Sequence, residues 1–301
     1  MNNMDFLTLI KEKKAINQAA IAVPMALGPN DKFTPFRGLL DTENPDAVIW
    51  QADAIADDFS KEVIWDQVKQ GGAQAVDEGD MSAMKKAAMK AELDKAHEEF
   101  LSNWPSIQQQ IIQELLQNAK QTANGRYLFL SYATKAEGGS GEMAAADQAF
   151  FLVSTLKAGG SDFAGVYIPS QLDENLQGKV REAAKTAGVL TIQTQVLADL
   201  TEATLTTAFE KAEAAGDDFL NLEISAAALG EYDVSDIEAI LSDLSNKYAD
   251  KVHLILTLTG QLNKETLEAW LILPSALVTL ALSGNYQTPL IQSTMKELGW
   301  N

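Results

Sequence analysis

Eight short stretches of almost unbroken apolar residues recur along the chain. They are Ala20–Leu27, Ala47–Asp53, Tyr127–Thr134, Gly165–Ser170, Gly188–Gln195, Phe219–Ser225, Val252–Thr259 and Ala276–Leu282. Most are rich in Val, Ile, Leu or Tyr, the composition of parallel strands covered on both faces. Helical patterns separate them, as at Asp173–Ala187, Thr201–Ala215, Ser235–Ala249 and Lys264–Leu273. Strand–helix alternation repeated eight times predicts an α/β fold, a (β/α)8 TIM barrel, with an additional N-terminal helix. An open doubly wound sheet is the alternative. It is disfavoured because no glycine fingerprint follows the first run.

The connection between the second and third runs departs from this rhythm. It spans about 70 residues, against the dozen or more that a helical crossover needs. Asp80–Trp104 carries Met84, Ala87, Met89 and Leu93 at helical steps, and Pro105 precedes a second helical pattern over Ser106–Ala119. We read residues 62–122 as a helical insertion within a single domain spanning 1–301, either packing on the barrel exterior or offering an interaction surface. His97, beside Glu98 and Glu99, is expected on a solvated face of it.

Composition narrows the chemistry. The 301 residues and 46% hydrophobic content suit one large core. A net charge of −19 argues against a nucleic-acid surface and an anionic membrane. The absence of cysteine excludes disulfides, thiolate metal sites and cysteine nucleophiles. Without a signal-like N-terminus or a long apolar span, a soluble cytoplasmic protein is expected. Arg37, Arg126 and Arg181 are the only arginines, and His97 and His253 the only histidines. Forked anion grips and imidazole bases are therefore scarce.

Several blocks, in order from Ala20 to the C-terminus, resemble one family. Tyr127–Gly139, YLFLSYATKAEGG, is similar to the third strand of type I 3-dehydroquinate dehydratases, where a run such as LFTFRTKxEGG ends in a glycine pair. Ala20–Gly28 resembles the first strand, Ala47–Asp53 (AVIWQAD) the VEWRAD block, and Pro274–Leu282 (PSALVTLAL) the eighth-strand GSALTF block. Pro289 matches the proline of a SAPGQ motif. The resemblance implies a barrel in which a sixth-strand lysine forms a Schiff base with the substrate ketone, a histidine moves protons, and arginines hold the carboxylate. Family dimers imply a homodimer or protein partner.

Carried over position by position, the resemblance also implies that this machinery is replaced. The lysine position reads Asn221 and the histidine position Thr194. The glutamate and arginine of VEWRAD read Ile49 and Gln51, and the third-strand arginine reads Ala133. The arginine after the seventh strand reads Leu267, and the terminal serine and glutamine fall near Gln287 and Ile291. Glu137 alone is kept. The expected pocket comprises Gln51, Asp53, Ala133, Lys135, Glu137, Thr194, Asn221, Glu223, Leu267 and Gln287, with Ser170, Gln171, Gln195 and Asn285 as further strand-end polar groups.

Alternation puts Asn221 and Glu223 on one strand face, inward by analogy with the family. Glu223 is either a replacement acid or base or a hydrogen-bonded glutamate at a wet rim. Lys135 is either a new imine former or an ordinary strand-end lysine. Lys32 and Arg37 are the remaining anion grips, or else solvated loop charges. Asp53, Glu137 and Glu223 have the oxygens for a hard cation, but no metal and no cofactor are expected. The leading reading is a relative without dehydratase activity that binds a small molecule or a partner at the barrel mouth. The alternatives are altered chemistry at the same place, or a divergent dehydratase.

Overall fold

A computed structural model of the chain describes residues 3–16, 18–26, 45–53, 61–78, 83–135, 141–260, 263–280 and 288–299. Eight parallel strands close into a barrel in chain order. They are β1 (Ala20–Ala26), β2 (Ala47–Gln51), β3 (Tyr127–Ser131), β4 (Gly165–Ile168), β5 (Leu190–Leu197), β6 (Phe219–Ser225), β7 (His253–Thr259) and β8 (Leu277–Leu280). Ten α-helices are described: α1 (Asn3–Ala15), α2 (Lys61–Glu78), α3 (Ala83–Ala123), α4 (Ala145–Gly159), α5 (Glu174–Ala187), α6 (Glu202–Ala215), α7 (Ala226–Leu229), α8 (Val234–Lys247), α9 (Lys264–Leu271) and α10 (Thr288–Glu297). The eight-strand barrel with its N-terminal helix is thus the observed architecture.

Local sequence starts and stops the outer helices. The side chains of Asp173, Thr201, Asp233 and Asn263 accept hydrogen bonds from backbone amides at the starts of α5, α6, α8 and α9. Gly188 and Gly216 end α5 and α6 in the left-handed region, at φ 68° and 71°, where a side chain would be strained. Outward strand residues such as Leu220, Leu222, Leu256 and Leu258 bury against the helix layer.

The barrel interior is filled by unequal partners. Inward positions on β1 and at the start of β2 are small (Ala20, Ala22, Ala47), whereas β3, β4 and β6 contribute Phe129, Tyr167 and Phe219. A Cβ added at Gly165 would stand 2.7 Å from the Phe129 ring, so glycine lets that ring lie over the neighbouring strand. α1 closes the N-terminal end. Its Phe6 meets Tyr127, Phe129 and Phe219 at centroid separations of 5.0, 4.9 and 6.2 Å. With the lower end plugged by aromatic rings, access to the interior is left to the C-terminal end.

The long connection differs from the two-helix pattern expected around Pro105. α3 runs unbroken through that proline for 41 residues. A proline inside a helix costs about 3 kcal/mol, and packing on both sides offsets it. Before it, Trp65, His97, Phe100 and Trp104 form an aromatic row, with Trp65 stacked on His97 at 4.5 Å. After it, Ile112, Leu115, Leu116 and Ala119 bury against β2 and β3. His97 is consequently half-buried under an indole rather than on a solvated face.

Two arginines are spent on this framework. Arg126 donates to the carbonyls of Pro45 and Ala123. Arg181 on α5 grips Asp217 with two parallel bonds of 2.9 and 2.8 Å, and the Asp217 side chain is fully buried. The pair ties α5 to the entry of β6. Asp217→Ala leaves the guanidinium without its partner and is expected to lower unfolding free energy by about 2–4 kcal/mol, read from urea denaturation. A loss below 0.5 kcal/mol, the usual scale of surface changes, would contradict the clamp.

Candidate functional site

Strand alternation and register assemble the polar groups at one level of the interior. Asn221 on β6 stands beside Thr194 of β5, and Thr257 of β7 lies beside Thr279 of β8. All four are buried, Asn221 to 1% exposure. The Asn221 amide nitrogen donates to Thr194 Oγ1 at 3.4 Å, and its Oδ1 accepts from Thr257 Oγ1 at 2.7 Å. The amide therefore bridges three strands through a carbonyl and an NH2 that a lysine could not reproduce.

Across the barrel, the Tyr167 hydroxyl on β4 approaches that of Thr279, yet neither completes a hydrogen bond with a protein group. The phenol pKa is pushed up, first by burial and then by the Glu223 charge, with Thr279 opposing. Tyr167 is accordingly a neutral hydroxyl, available to donate or accept. Glu223, two residues above Asn221, is partly exposed and aligned with Val196 and Thr257. Val196 is 55% exposed, so this side of the rim is open to an approaching molecule.

The other expected residues divide. Gln51 is inward and half-buried at the end of β2, and Ala133 is half-buried just beyond β3. Asp53 is buried, and its carboxylate accepts from the Ala133 amide at 3.2 Å, which couples the upper ends of those strands. Lys135 is exposed and ion-paired with Glu142, whose pKa that lysine lowers. Gln171 donates to Thr134, and Ser170 follows β4. Gln195 faces outward, lining a surface groove with Thr204 and Lys211.

Leu267 does not reach the mouth. It is wholly buried on α9 in the cluster containing Leu256, Leu258 and Trp270, because the short helix turns that position onto the strands. Glu137 and Gln287, with Lys32, Arg37 and Asn285, lie outside the described residues. Three groups were missed as site residues: Tyr167, Thr257 and Thr279. The signal was present, since each stands at an inward step of its strand. Which hydroxyls converge depends on register between distant strands.

Electrostatically the described interior is poor in cations. No lysine or arginine occurs in any of the eight strands, and Arg126 and Arg181 both sit at the N-terminal side. No three His, Asp or Glu side chains converge among the described residues. No described helix is long and apolar enough to cross a membrane. The fold and site together define a closed (β/α)8 barrel whose upper interior is lined by hydroxyl and amide groups below one partly exposed carboxylate.

Solved structures share this architecture. The 3-dehydroquinate dehydratase of Geobacillus kaustophilus HTA426 superposes with a TM-score of 0.61 at 14% identity, over 94% of this chain and 91% of that one. The type I 3-dehydroquinate dehydratase of Clostridium difficile, with covalently modified comenic acid, gives 0.60 at 11% identity over 93% and 92%. The Enterococcus faecalis 3-dehydroquinate dehydratase gives 0.56 at 14% identity over 93% and 94%. At these identities the likeness is one of fold. No protein-family model and no curated protein sequence matches the chain.

Two substitutions separate a satisfied group from an unsatisfied one. Asn221→Leu strands the hydroxyls of Thr194 and Thr257 and should lower unfolding free energy by about 1–3 kcal/mol. Tyr167→Phe removes a hydroxyl that has no protein partner. It should be neutral or stabilising by up to about 1 kcal/mol. Denaturant titrations of both variants check the pair, and the reverse ranking would sink this account of the interior.

Proposed function

We propose that this chain is a type I 3-dehydroquinase-like barrel without dehydratase activity, whose upper interior binds a small, uncharged, hydroxyl-rich molecule. The observation that carries the reading is the absence of any lysine from the eight described strands, with Asn221 hydrogen-bonded at the position that matches the family's imine-forming lysine. Schiff-base chemistry needs an amine at the reacting carbon. An amide held between two threonines cannot supply one. Lys135, the strand-end lysine, is committed to Glu142 at the surface. The hydroxyls of Tyr167 and Thr279 offer hydrogen-bonding capacity that a hydroxylated ligand would use. The three dehydratase structures lend the fold-level frame, and the dehydratase resemblance of the sequence blocks lends the ancestry.

A second reading has one specific observation behind it. Glu223 is a partly exposed carboxylate on the strand face of Asn221, and its charge is felt by the Tyr167 phenol. A carboxylate and a neutral phenol together can move a proton on a bound molecule. In that case Glu223→Gln would cost about 10²–10⁴-fold in rate.

The test of the first reading is incubation of the purified protein with 3-dehydroquinate, following the conjugated enone product by ultraviolet absorbance. Borohydride trapping with intact-mass analysis runs alongside. No turnover and no adduct are expected. Turnover at an enzyme's rate together with a trapped adduct would overturn the proposal. Turnover without an adduct, abolished by Glu223→Gln, would select the second reading.

A further inference from the structure

A cavity lies at the end of the barrel opposite the polar site. It has a volume of about 660 Å³, within the usual range for small-molecule sites, and opens between α1, the end of α8 and the loop leading to β8. Its floor is apolar, with Ile10, Val252 and Leu273 all buried. Its rim carries Lys11 and Lys14, one helical turn apart on α1 and so on the same side of it. Among the described residues neither lysine is in an ion pair.

Two further groups make this cleft polar at one end. Ser245 on α8 lines it, and its buried hydroxyl has no hydrogen-bond partner. His253 sits at its edge with a pKa lowered by burial and by the charges of Lys14 and Lys11, against the opposing pull of Asp218 and Asp250. The ring is therefore uncharged near neutral pH. The carboxylate among the described lining residues is the exposed Glu238. In a chain with 42 acidic and 23 basic residues, a cleft where lysines outnumber acids is a local reversal of charge. An apolar floor beneath two ammonium groups with no ion-pair partner among the described residues matches one ligand chemistry.

We propose that this cleft binds an amphipathic monocarboxylate, its tail against Ile10, Val252 and Leu273 and its carboxylate between Lys11 and Lys14. The site is independent of the barrel mouth.

Isothermal titration of the full chain with sodium octanoate tests it. One-to-one saturable binding is expected, weakened by added salt and by about tenfold in the Lys11→Gln/Lys14→Gln double variant, the sum for two exposed charge pairs. Ala249→Trp, which fills the cleft, should abolish binding while circular dichroism shows an intact fold. Asn221→Leu should leave octanoate binding unchanged. No saturable heat at millimolar octanoate would overturn the proposal. Equal affinity in the lysine double variant, equal binding of octylammonium, or loss of binding in Asn221→Leu would each do the same.

Discussion

The crossing of the Phe129 ring over Gly165 is the contact on which the barrel interior depends. It brings a large ring into the lower interior beside the small residues Ala20, Ala22 and Ala47 of the same cluster, and Phe6 then seals the aromatic cluster from below. Interiors tolerate neither voids nor overlaps of this size, so small and large positions must match across the barrel. Filling the lower half with rings and methyl groups leaves only the upper half for polar side chains. The site's position is therefore a consequence of packing at the other end.

Above that plug, the polar groups are paired with one another before any ligand arrives. Asn221 holds β5, β6 and β7 together through two threonine hydroxyls, and Asp53 holds β2 to the end of β3. Buried polar groups of this kind stabilise only when satisfied. The hydroxyls of Tyr167 and Thr279 are the exception, and the proposed binding role rests on them. The described cations are deployed elsewhere: Arg126 and Arg181 on the framework, Lys135 on Glu142, Lys11 and Lys14 at the base. The eight strands therefore supply no cation to grip a carboxylate.

Much of this was legible from pattern. The eight apolar runs coincide with the eight strands, and Asp173 and Thr201 stand as the caps that open α5 and α6. Alternation put Asn221 and Glu223 on one face, the family resemblance made that face inward and aligned Thr194 with it, and β6 and β5 pair Asn221 with Thr194. Other expectations failed for physical reasons. Pro105 suggested a helix break, but aromatic and aliphatic contacts on either side sustain one helix through it. His97 sits in a polar run, yet Trp65 from another helix covers it. Leu267 was aligned with a mouth arginine, while the turn of α9 directs it into the outer core.

The chain on its own determined the (β/α)8 architecture, the alternation of faces along each strand and the scarcity of cations there. These follow from local periodicity and residue chemistry, which act within a few residues. The tertiary structure alone decided that Thr257 meets Asn221, that Tyr167 and Thr279 face each other without a completed bond, and that Lys11, Lys14 and His253 share a cleft. Those meetings join segments up to hundreds of residues apart. They depend on barrel closure and strand register, which no local pattern encodes.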